Sequence, residues 1–238
     1  MLLRFIPYVG PLLLLQALSA CSGENNGAGE TNAAATPPAP VARTAPAADG
    51  KLILAFGDSL YAAYGVPAEE SFPAELEEAL RAAGLAAVVR NAGVSGDTSA
   101  AGLRRLGFVL DGLPRKPDLV LVNLGGNDML RGVDPAETRR NLTAICEELK
   151  RRGIPILLTG MVAAPNMGRD FAARFNPIYA ELAKRYDAAL YPFFLEGVIT
   201  RPGLMLPDRI HPTAEGIDII AGKVAPIVAG RLKGTEAG

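Results

Sequence analysis

The sequence predicts a three-layer α/β/α domain, built on a five-stranded parallel sheet, from Lys51 to the C terminus. Two features of the pattern point to it. Short apolar runs alternate with longer amphipathic stretches, which is the rhythm of strand and helix in α/β domains. The apolar runs are nearly continuous, as expected of parallel strands covered by helices on both faces.

The strands are predicted where these apolar runs fall, and the last of them is the weakest signal. They span Leu52–Phe56, Ala87–Arg90, Leu119–Leu124, Ile156–Thr159 and Ala189–Tyr191.

Helical spacing and capping residues predict the intervening helices. Ser71–Ala83 places its apolar residues at helical intervals, with Gly84 where a helix would end. A second helix opens at Asp134-Pro135, a capping residue followed by proline at the first helical position, and runs to about Arg152. Further helices are predicted over 98–110, 169–187 and from Thr213 to the end. Five strands with these helices fit a doubly wound, flavodoxin-like domain, in which function gathers at the carboxyl ends of the strands.

The N-terminal region carries a different pattern. A mostly apolar stretch from Phe5 to Leu18 is too short, and too interrupted by proline, to span a bilayer, as expected of a secretory signal. Small residues end it at Ala20, and Cys21 follows directly. This arrangement resembles the lipobox of bacterial lipoproteins, which implies a signal peptide over 1–20, cleavage before Cys21 and lipid on its sulfur. An ordinary signal peptide with a chance cysteine is the alternative.

Residues 21–50 are expected to form the lipidated cysteine and a disordered tether. The stretch is dominated by Ala, Pro, Gly, Asn and Thr, has no apolar period and cannot bury enough surface to fold. As a flexible coil it would span roughly 30 Å. Ser22 after the cysteine resembles the signal for outer-membrane sorting. The expected location is therefore the cell envelope, on the outer membrane facing the periplasm, with the folded domain over 51–238.

Composition argues against several classes of function. The chain has 24 Lys and Arg against 25 Asp and Glu, with no basic block that would bind nucleic acid or anionic lipid. With Cys21 lipidated, Cys146 is left alone in a helical segment as a core residue. One histidine and one free cysteine are too few for a zinc site, and no clustered Asp spacing indicates magnesium or calcium. No metal or cofactor is predicted.

Polar loops follow the first three predicted strands. Ser59 stands in Gly57-Asp58-Ser59-Leu60, where outward-pointing backbone N–H groups could receive a developing oxyanion. A residue that merely caps the next helix is the alternative. The second loop runs over Asn91–Thr98 with two glycines. The third, Leu124–Asp128, includes Asn127, whose side-chain amide can donate two hydrogen bonds.

A candidate base stands near the C terminus. A hydroxyl nucleophile needs a group that takes a proton near neutral pH, and His211 is the only histidine of the chain. Asp208 lies three residues earlier, close enough in a turn for its carboxylate to hold the imidazole N–H. The alternative is a surface histidine beside a helix that Thr213 caps.

These four segments together resemble the SGNH, or GDSL, hydrolase family. They occur in the family's order, and the match runs over nearly all of the chain from Lys51 onward. The resemblance implies a catalytic triad of Ser59 as nucleophile, His211 and Asp208. It also implies an oxyanion hole formed by the amides of Ser59 and Gly96 and the side chain of Asn127.

Two longer phrases, Gly57–Pro73 and Gly160–Tyr179, resemble the bacterial thioesterase I, lysophospholipase and arylesterase subfamily. This implies a serine esterase that cleaves acyl esters or thioesters through an acyl-enzyme on Ser59, with small-molecule or lipid-derived substrates. Two alternatives stay open: a carbohydrate O-acetylesterase or transacylase of the cell envelope, and a non-enzymatic envelope lipoprotein that keeps the fold.

Two residues depart from the subfamily pattern. Ala63 and Arg209 stand where glycine is common, and neither change removes a catalytic group. Arg209 could alter access to the site or contact an anionic group of the substrate. Three aspartates near the loops are expected to cap helices or brace loops rather than to act in catalysis: Asp58, Asp97 and Asp128.

The substrate groove is less clearly indicated. Apolar residues near the histidine block and a loop without helical period could line an acyl groove, or they could be ordinary core and loop. They are Phe193, Phe194, Leu204, Met205, Leu206 and the loop Met161–Gly168.

Overall fold

The computed structural model describes residues 50–234, which form a five-stranded sheet with helices packed against it. The strands are ordered β2-β1-β3-β4-β5 and every neighbouring pair is parallel. This is the flavodoxin-like order, so the predicted fold class is confirmed. The strands are β1 Lys51–Gly57, β2 Ala87–Gly93, β3 Leu119–Asn123, β4 Ile156–Thr159 and β5 Ala189–Tyr191.

Seven α-helices occur within residues 50–234. The helix α1 packs against α7, and α4 packs against α2, α5 and α6. All side chains from Ile53 to Phe56 at the centre of β1 are at most 1% exposed, so both faces of the sheet are covered. The helices are α1 Phe72–Ala82, α2 Ser99–Asp111, α3 Gly126–Leu130, α4 Pro135–Arg151, α5 Arg169–Phe175, α6 Ile178–Tyr186 and α7 Ala214–Gly234.

The predicted signal peptide, Cys21 and nearly all of the tether lie outside the described residues and stay predictions. Within residues 50–234, no helix has the length and apolar character needed to cross a bilayer.

The helix predicted over 169–187 is two helices. The break falls at Asn176-Pro177, because proline has no N–H to donate within a helix. At this break, the side chain of Asn176 accepts a hydrogen bond from the amide of Ala163 at 2.8 Å. The helix α3, which follows β3 almost directly, was expected to be loop. At five residues it is too short to show a periodic pattern.

Two polar side chains stand at the start of α2. Its cap is Thr98, whose hydroxyl accepts from the amide of Ala101 at 3.2 Å, rather than Asp97. The carboxylate of Asp97 instead pairs with Arg105 at 2.6 Å. The expected cap of α4 is present, since Asp134 accepts from the amide of Ala136 at 2.8 Å.

An aromatic cluster holds the turn that follows β1. Tyr61 is fully buried, with its ring stacked on Phe72 at 4.7 Å and tilted against Phe194 at 5.6 Å. Its hydroxyl lies 2.8 Å from that of Thr159 at the end of β4, so the phenol's polar end is also paired. Tyr61 therefore fixes the turn to two separate parts of the core.

Cys146 lies on α4 with no exposed surface, as the sequence predicted. Burial raises the pKa of its thiol to about 12, which makes it an inert core residue.

The end of β2 approaches the same turn closely enough to require glycine. A Cβ at Gly93 would lie 2.6 to 2.9 Å from backbone atoms of Ala62, Tyr61 and Asp58. We predict that Gly93→Ala lowers the free energy of unfolding by about 1–3 kcal/mol, because backbone cannot move aside as a side chain would. Urea unfolding of the purified protein measures this.

The control for that substitution is Gly222→Ala. Gly222 is on α7, and a Cβ there would meet nothing within 4 Å. Alanine should raise the free energy of unfolding by about 0.5–1 kcal/mol at this helical position. Similar effects of the two substitutions would contradict the close approach at Gly93.

Candidate active site

Three side chains from distant parts of the chain meet beyond the carboxyl end of β1. Ser59 lies in the turn after β1, and Asp208 and His211 lie in the turn before α7. Nε2 of His211 is 2.8 Å from Oγ of Ser59, and Nδ1 of His211 is 2.6 Å from Oδ2 of Asp208. A hydroxyl, an imidazole and a carboxylate joined in this order can activate the hydroxyl as a nucleophile.

Asp208 is held in its ionised form. Desolvation acts to raise its pKa, but hydrogen bonds from the Ile210 amide and from the ring and amide of His211 outweigh it and keep the pKa below its usual range. Oδ1 accepts from the amides of Ile210 and His211 at 2.9 and 3.0 Å, which leaves Oδ2 for the imidazole. A carboxylate at Nδ1 favours the tautomer in which Nε2 accepts the proton of Ser59.

Backbone pairing and ring stacking fix the position of the histidine. Met205 and Pro212 form an isolated antiparallel bridge, and the carbonyl of His211 accepts from the amide of Leu206 at 2.8 Å. The ring of Tyr64 stacks on the imidazole at a centroid distance of 4.1 Å. Thr213 does cap the following helix, because its hydroxyl accepts a 3.3 Å hydrogen bond from the amide of Gly216. His211 is nevertheless not a plain surface histidine, since its ring contacts Ser59.

The residues expected to form the oxyanion hole lie on three adjacent loops. Nδ2 of Asn127, in the first turn of α3, donates to the carbonyl of Asp97 at 3.1 Å and to Oδ2 of Asp58 at 3.2 Å. Asn127 thus contacts the neighbours of both Gly96 and Ser59. Within residues 50–234, the amides of Ser59 and Gly96 donate no hydrogen bond to protein.

The side-chain amide of Asn127 already donates hydrogen bonds within the protein, which the sequence did not indicate. Both of its hydrogens are engaged, at distances near the long end of the range for hydrogen bonds. To stabilise an oxyanion, Asn127 must share or exchange one of these bonds.

Asp58 connects the nucleophile turn to α3. Its carboxyl is 2% exposed, with Oδ1 accepting from the Leu60 amide at 3.0 Å and Oδ2 from Asn127. Burial is the main cause that raises its pKa to about 7, although both hydrogen bonds act to lower it. Asp58 is therefore a brace whose charge changes near neutral pH.

The other two aspartates also brace the loops. Arg105 joins Asp97 to the first loop, because it donates to Oδ2 of Asp97 at 2.6 Å and to the carbonyl of Gly57 at 2.9 Å. Asp128 is 1% exposed and accepts from the amide and hydroxyl of Ser99 and from the hydroxyl of Thr138. The expectation that these residues are structural agrees with these contacts.

A cavity of about 630 Å³ opens beside Ser59. Of the apolar residues expected near it, Phe193 and the first part of the 161–168 loop line the cavity, whereas Phe194, Leu204 and Met205 are buried in the core. Sequence reasoning missed several apolar wall residues, since their spacing does not separate cavity from core. These are Met129, Leu130, Leu195, Ile199 and Ile210.

Both departures from the subfamily pattern occupy left-handed backbone. Ala63 has φ of 66° and Arg209 has φ of 58°, the region that favours glycine. This is the physical reason that glycine suits these positions. Arg209 also lines the cavity, beside the histidine.

No cluster of three or more His, Cys, Asp or Glu side chains in the described part of the chain is arranged to hold a metal ion.

A serine, histidine and aspartate joined by hydrogen bonds beyond the strand ends of a doubly wound parallel sheet define the class of serine hydrolases. Residues 55–219 match the GDSL-like Lipase/Acylhydrolase family, and the chain belongs to this family. The protein is a carboxylic ester hydrolase, as its family and relatives agree.

Two curated relatives and one solved structure illustrate the similarity. An arylesterase of Vibrio mimicus is 41% identical over 173 residues, which cover 73% of this chain and 86% of the relative. Thioesterase 1/protease 1/lysophospholipase L1 of Escherichia coli K12 is 41% identical over 181 residues, covering 76% and 84%. The crystal structure of AlinE4, an SGNH-hydrolase family esterase, is 55% identical with a TM-score of 0.66, covering 76% of this chain and 96% of that one.

The AlinE4 esterase has also been solved as two variants, one with a serine and one with an aspartate replaced by alanine. The two replaced positions are as far apart in that chain as Ser59 and Asp208 are in this one.

The buried carboxyl of Asp58 predicts a pH-dependent stability. Burial raises its pKa from the ordinary aspartate value of 3.8 to about 7 in the folded protein, so folding takes up a proton between these pH values. The free energy of unfolding should therefore fall as pH rises through this window, by up to about 4 kcal/mol from this group. We predict that Asp58→Asn, which cannot titrate, gains stability relative to wild type between about pH 5 and about pH 8 in urea unfolding.

Asp134→Asn is the matched control. The pKa of Asp134 is lowered, first by the hydrogen bond from the Ala136 amide, so from about pH 5 to about pH 8 this carboxyl is ionised in both folded and unfolded chains. Its stability difference from wild type should be flat with pH. A flat difference for Asp58→Asn as well would contradict the raised pKa.

Proposed function

We propose that the protein hydrolyses lipid-derived acyl esters or thioesters through an acyl-enzyme on Ser59, in the cell envelope. The observation that carries this proposal is the hydrogen-bonded series of Ser59, His211 and Asp208 at the wall of a large, mostly apolar cavity. The series supports acyl transfer, and the cavity supports an apolar acyl group.

The geometry supports a two-step course. His211 takes the proton of Ser59 through Nε2 as Oγ attacks the carbonyl carbon, while Asp208 stabilises the imidazolium. The amides of Ser59 and Gly96 and the side chain of Asn127 receive the oxyanion. His211 then gives the proton to the leaving oxygen or sulfur. Water cleaves the acyl-enzyme by the same steps, and the acid and Ser59 are released.

The relatives support esters and thioesters as substrates. The Vibrio mimicus protein is named an arylesterase, and the Escherichia coli protein is named both a thioesterase and a lysophospholipase. The separation of the serine and aspartate replaced in AlinE4 supports the assignment of Ser59 and Asp208.

The cavity favours a longer acyl group over acetyl. A space of about 630 Å³ with walls from Met129, Met161, Phe193 and their neighbours is far larger than an acetyl group needs. Each methylene transferred from water to such walls contributes about 0.8 kcal/mol, which corresponds to roughly a fourfold gain in kcat/KM per carbon until the space is filled. This argues against a carbohydrate O-acetylesterase.

The place of action follows from the N-terminal pattern. We propose that residues 1–20 are a lipoprotein signal peptide, that Cys21 carries the lipid and that residues 22–50 tether the catalytic domain near the membrane. The expected sorting to the outer membrane rests on Ser22. This would keep the cavity close to lipid-derived esters.

A series of nitrophenyl esters from acetyl to palmitoyl tests the chemistry. Ser59→Ala should abolish turnover of all of them and labelling by a fluorophosphonate, since no acyl-enzyme can form. Asn127→Ala should lower kcat by about a hundredfold or more, because an oxyanion donor contributes about 3 kcal/mol in the transition state. Thermal unfolding of each variant serves as the control for folding.

Each outcome of the series has a consequence. A normal rate in Asn127→Ala overturns its assignment to the oxyanion hole. Failure of wild type to react with the fluorophosphonate favours the non-enzymatic lipoprotein. A preference for acetyl alone contradicts the acyl cavity and favours the O-acetylesterase.

The lipid anchor has a separate test. Cells that express the full chain and grow with labelled palmitate should incorporate the label into wild type and not into Cys21→Ala. Cys146→Ala is the matched control and should be labelled like wild type, because the buried Cys146 is not the proposed lipid site. Equal labelling of wild type and Cys21→Ala would refute the lipobox interpretation.

A further inference from the structure

The backbone of Arg209 is strained, and no contact with the rest of the protein compensates for the strain. Its φ of 58° costs a side chain about 1–2 kcal/mol relative to ordinary backbone. The amide of Arg209 donates to the carbonyl of Leu206 at 2.9 Å, a contact that glycine would make equally well. Strain kept at a functional site is an observation from which a function can be inferred.

The charge of Arg209 is not neutralised by the protein. Within residues 50–234 its guanidinium has no carboxylate within 4.0 Å and no hydrogen-bond acceptor. The adjacent Asp208 is hydrogen-bonded to His211. Asp58, in the cavity wall, accepts hydrogen bonds from Leu60 and Asn127. Two other arginines near the site are bound to protein groups: Arg131 to the carbonyl of Gly96 at 2.8 Å, and Arg105 to Asp97 and the carbonyl of Gly57. Arg209 is exposed and lines the mostly apolar cavity, so its positive charge is paired with solvent rather than with a protein group.

The position of Arg209 in the turn indicates which part of a substrate it meets. The leaving oxygen of an ester must approach Nε2 of His211, because that nitrogen supplies its proton. Arg209 lies two residues before His211 in the same turn and lines the same cavity. The oxyanion donors Gly96 and Asn127 come from other loops, and the walls for an acyl chain come largely from α3 and the segments after β4 and β5. Arg209 therefore belongs to the leaving-group side of the cavity.

We propose that Arg209 forms an anion subsite for the leaving alcohol, so that the enzyme favours esters whose alcohol carries a phosphate a few bonds from the ester oxygen. This inference rests on the proposed function and specifies the substrate class of the same site. A guanidinium suits this role because its planar N–H groups match phosphate oxygens in paired hydrogen bonds. The phosphate belongs either to a lipid headgroup or to a water-soluble ester.

The test uses two short, water-soluble esters that differ only in the phosphate: hexanoyl glycerol and hexanoyl glycerol 3-phosphate. The full chain, purified in neutral detergent, should show kcat/KM about tenfold higher for the phosphate ester, the gain typical of one charge-assisted hydrogen bond. Arg209→Gln keeps a side chain in the left-handed backbone but removes the charge, and should bring the ratio close to one. Arg209→Lys should retain part of the preference.

The matched control is Arg201→Gln. Arg201 is an exposed arginine in the same region and is not part of the cavity wall. The substitution changes the net charge equally, so a general electrostatic effect would alter the ratio in both variants. Only Arg209→Gln should lower it. Added salt should also lower the wild-type ratio, since this contact is partly exposed to solvent.

The outcomes separate this inference from the proposed function. Hydrolysis of both esters at equal rates overturns the subsite and leaves the esterase intact, whereas hydrolysis of neither contradicts the proposed function. The adipoyl ester of glycerol carries its negative charge at the end of the acyl chain. A preference for it over the hexanoyl ester would place the anion subsite on the acyl side and overturn the assignment to the leaving group. Hydrolysis of lysophosphatidic acid in vesicles is compared with that of the soluble phosphate ester, to show whether the phosphate can belong to a lipid headgroup. Failure to hydrolyse the lipid restricts the subsite to soluble esters and overturns the lipid source.

Discussion

The 2.8 Å contact between Nε2 of His211 and Oγ of Ser59 joins segments that lie 152 residues apart in the sequence. Its geometry depends on two turns that different contacts hold in place. Tyr61 ties the serine turn to β4 and to the aromatic cluster, so this turn is part of the core. The bridge between Met205 and Pro212 holds the histidine turn, and α7 behind it packs on α1. The packing behind these two turns sets the distance over which the proton is transferred.

Beneath this contact, buried carboxylates link the loops that carry the oxyanion donors. Asp58 joins the serine turn to Asn127, and Asp128 joins α3 to the start of α2. Buried polar groups of this kind stabilise a unique arrangement only when each is paired, as these are. A negative charge on Asp58 would also lie next to Asn127, where an oxyanion would develop. The raised pKa of Asp58 moderates this conflict, because the carboxyl is partly neutral near pH 7.

The residues that line the substrate cavity come largely from other segments than the residues that carry out acyl transfer. Acyl-transfer groups come from the ends of the strands and the histidine turn, whereas the apolar walls come from α3 and the long segments after β4 and β5. Loops of this kind can vary while the catalytic geometry stays in place. Arg209 lies at the boundary between the two, since it belongs to the same turn as His211 and also lines the cavity.

Local sequence patterns by themselves determined the strands and most helices, because near-continuous apolar runs and capping residues report local structure. The single histidine indicated the candidate base, and the resemblance of four segments to the SGNH family implied the rest of the triad. Local patterns did not reveal the break at Pro177 or the short α3, since neither alters the pattern over a long enough window. Only the tertiary structure decided that Phe193 lines the cavity while its neighbour Phe194 is core, and that both hydrogens of Asn127 are engaged. It also placed Arg209 in the lining of the cavity. These features depend on contacts between segments far apart in the chain, which no local pattern encodes.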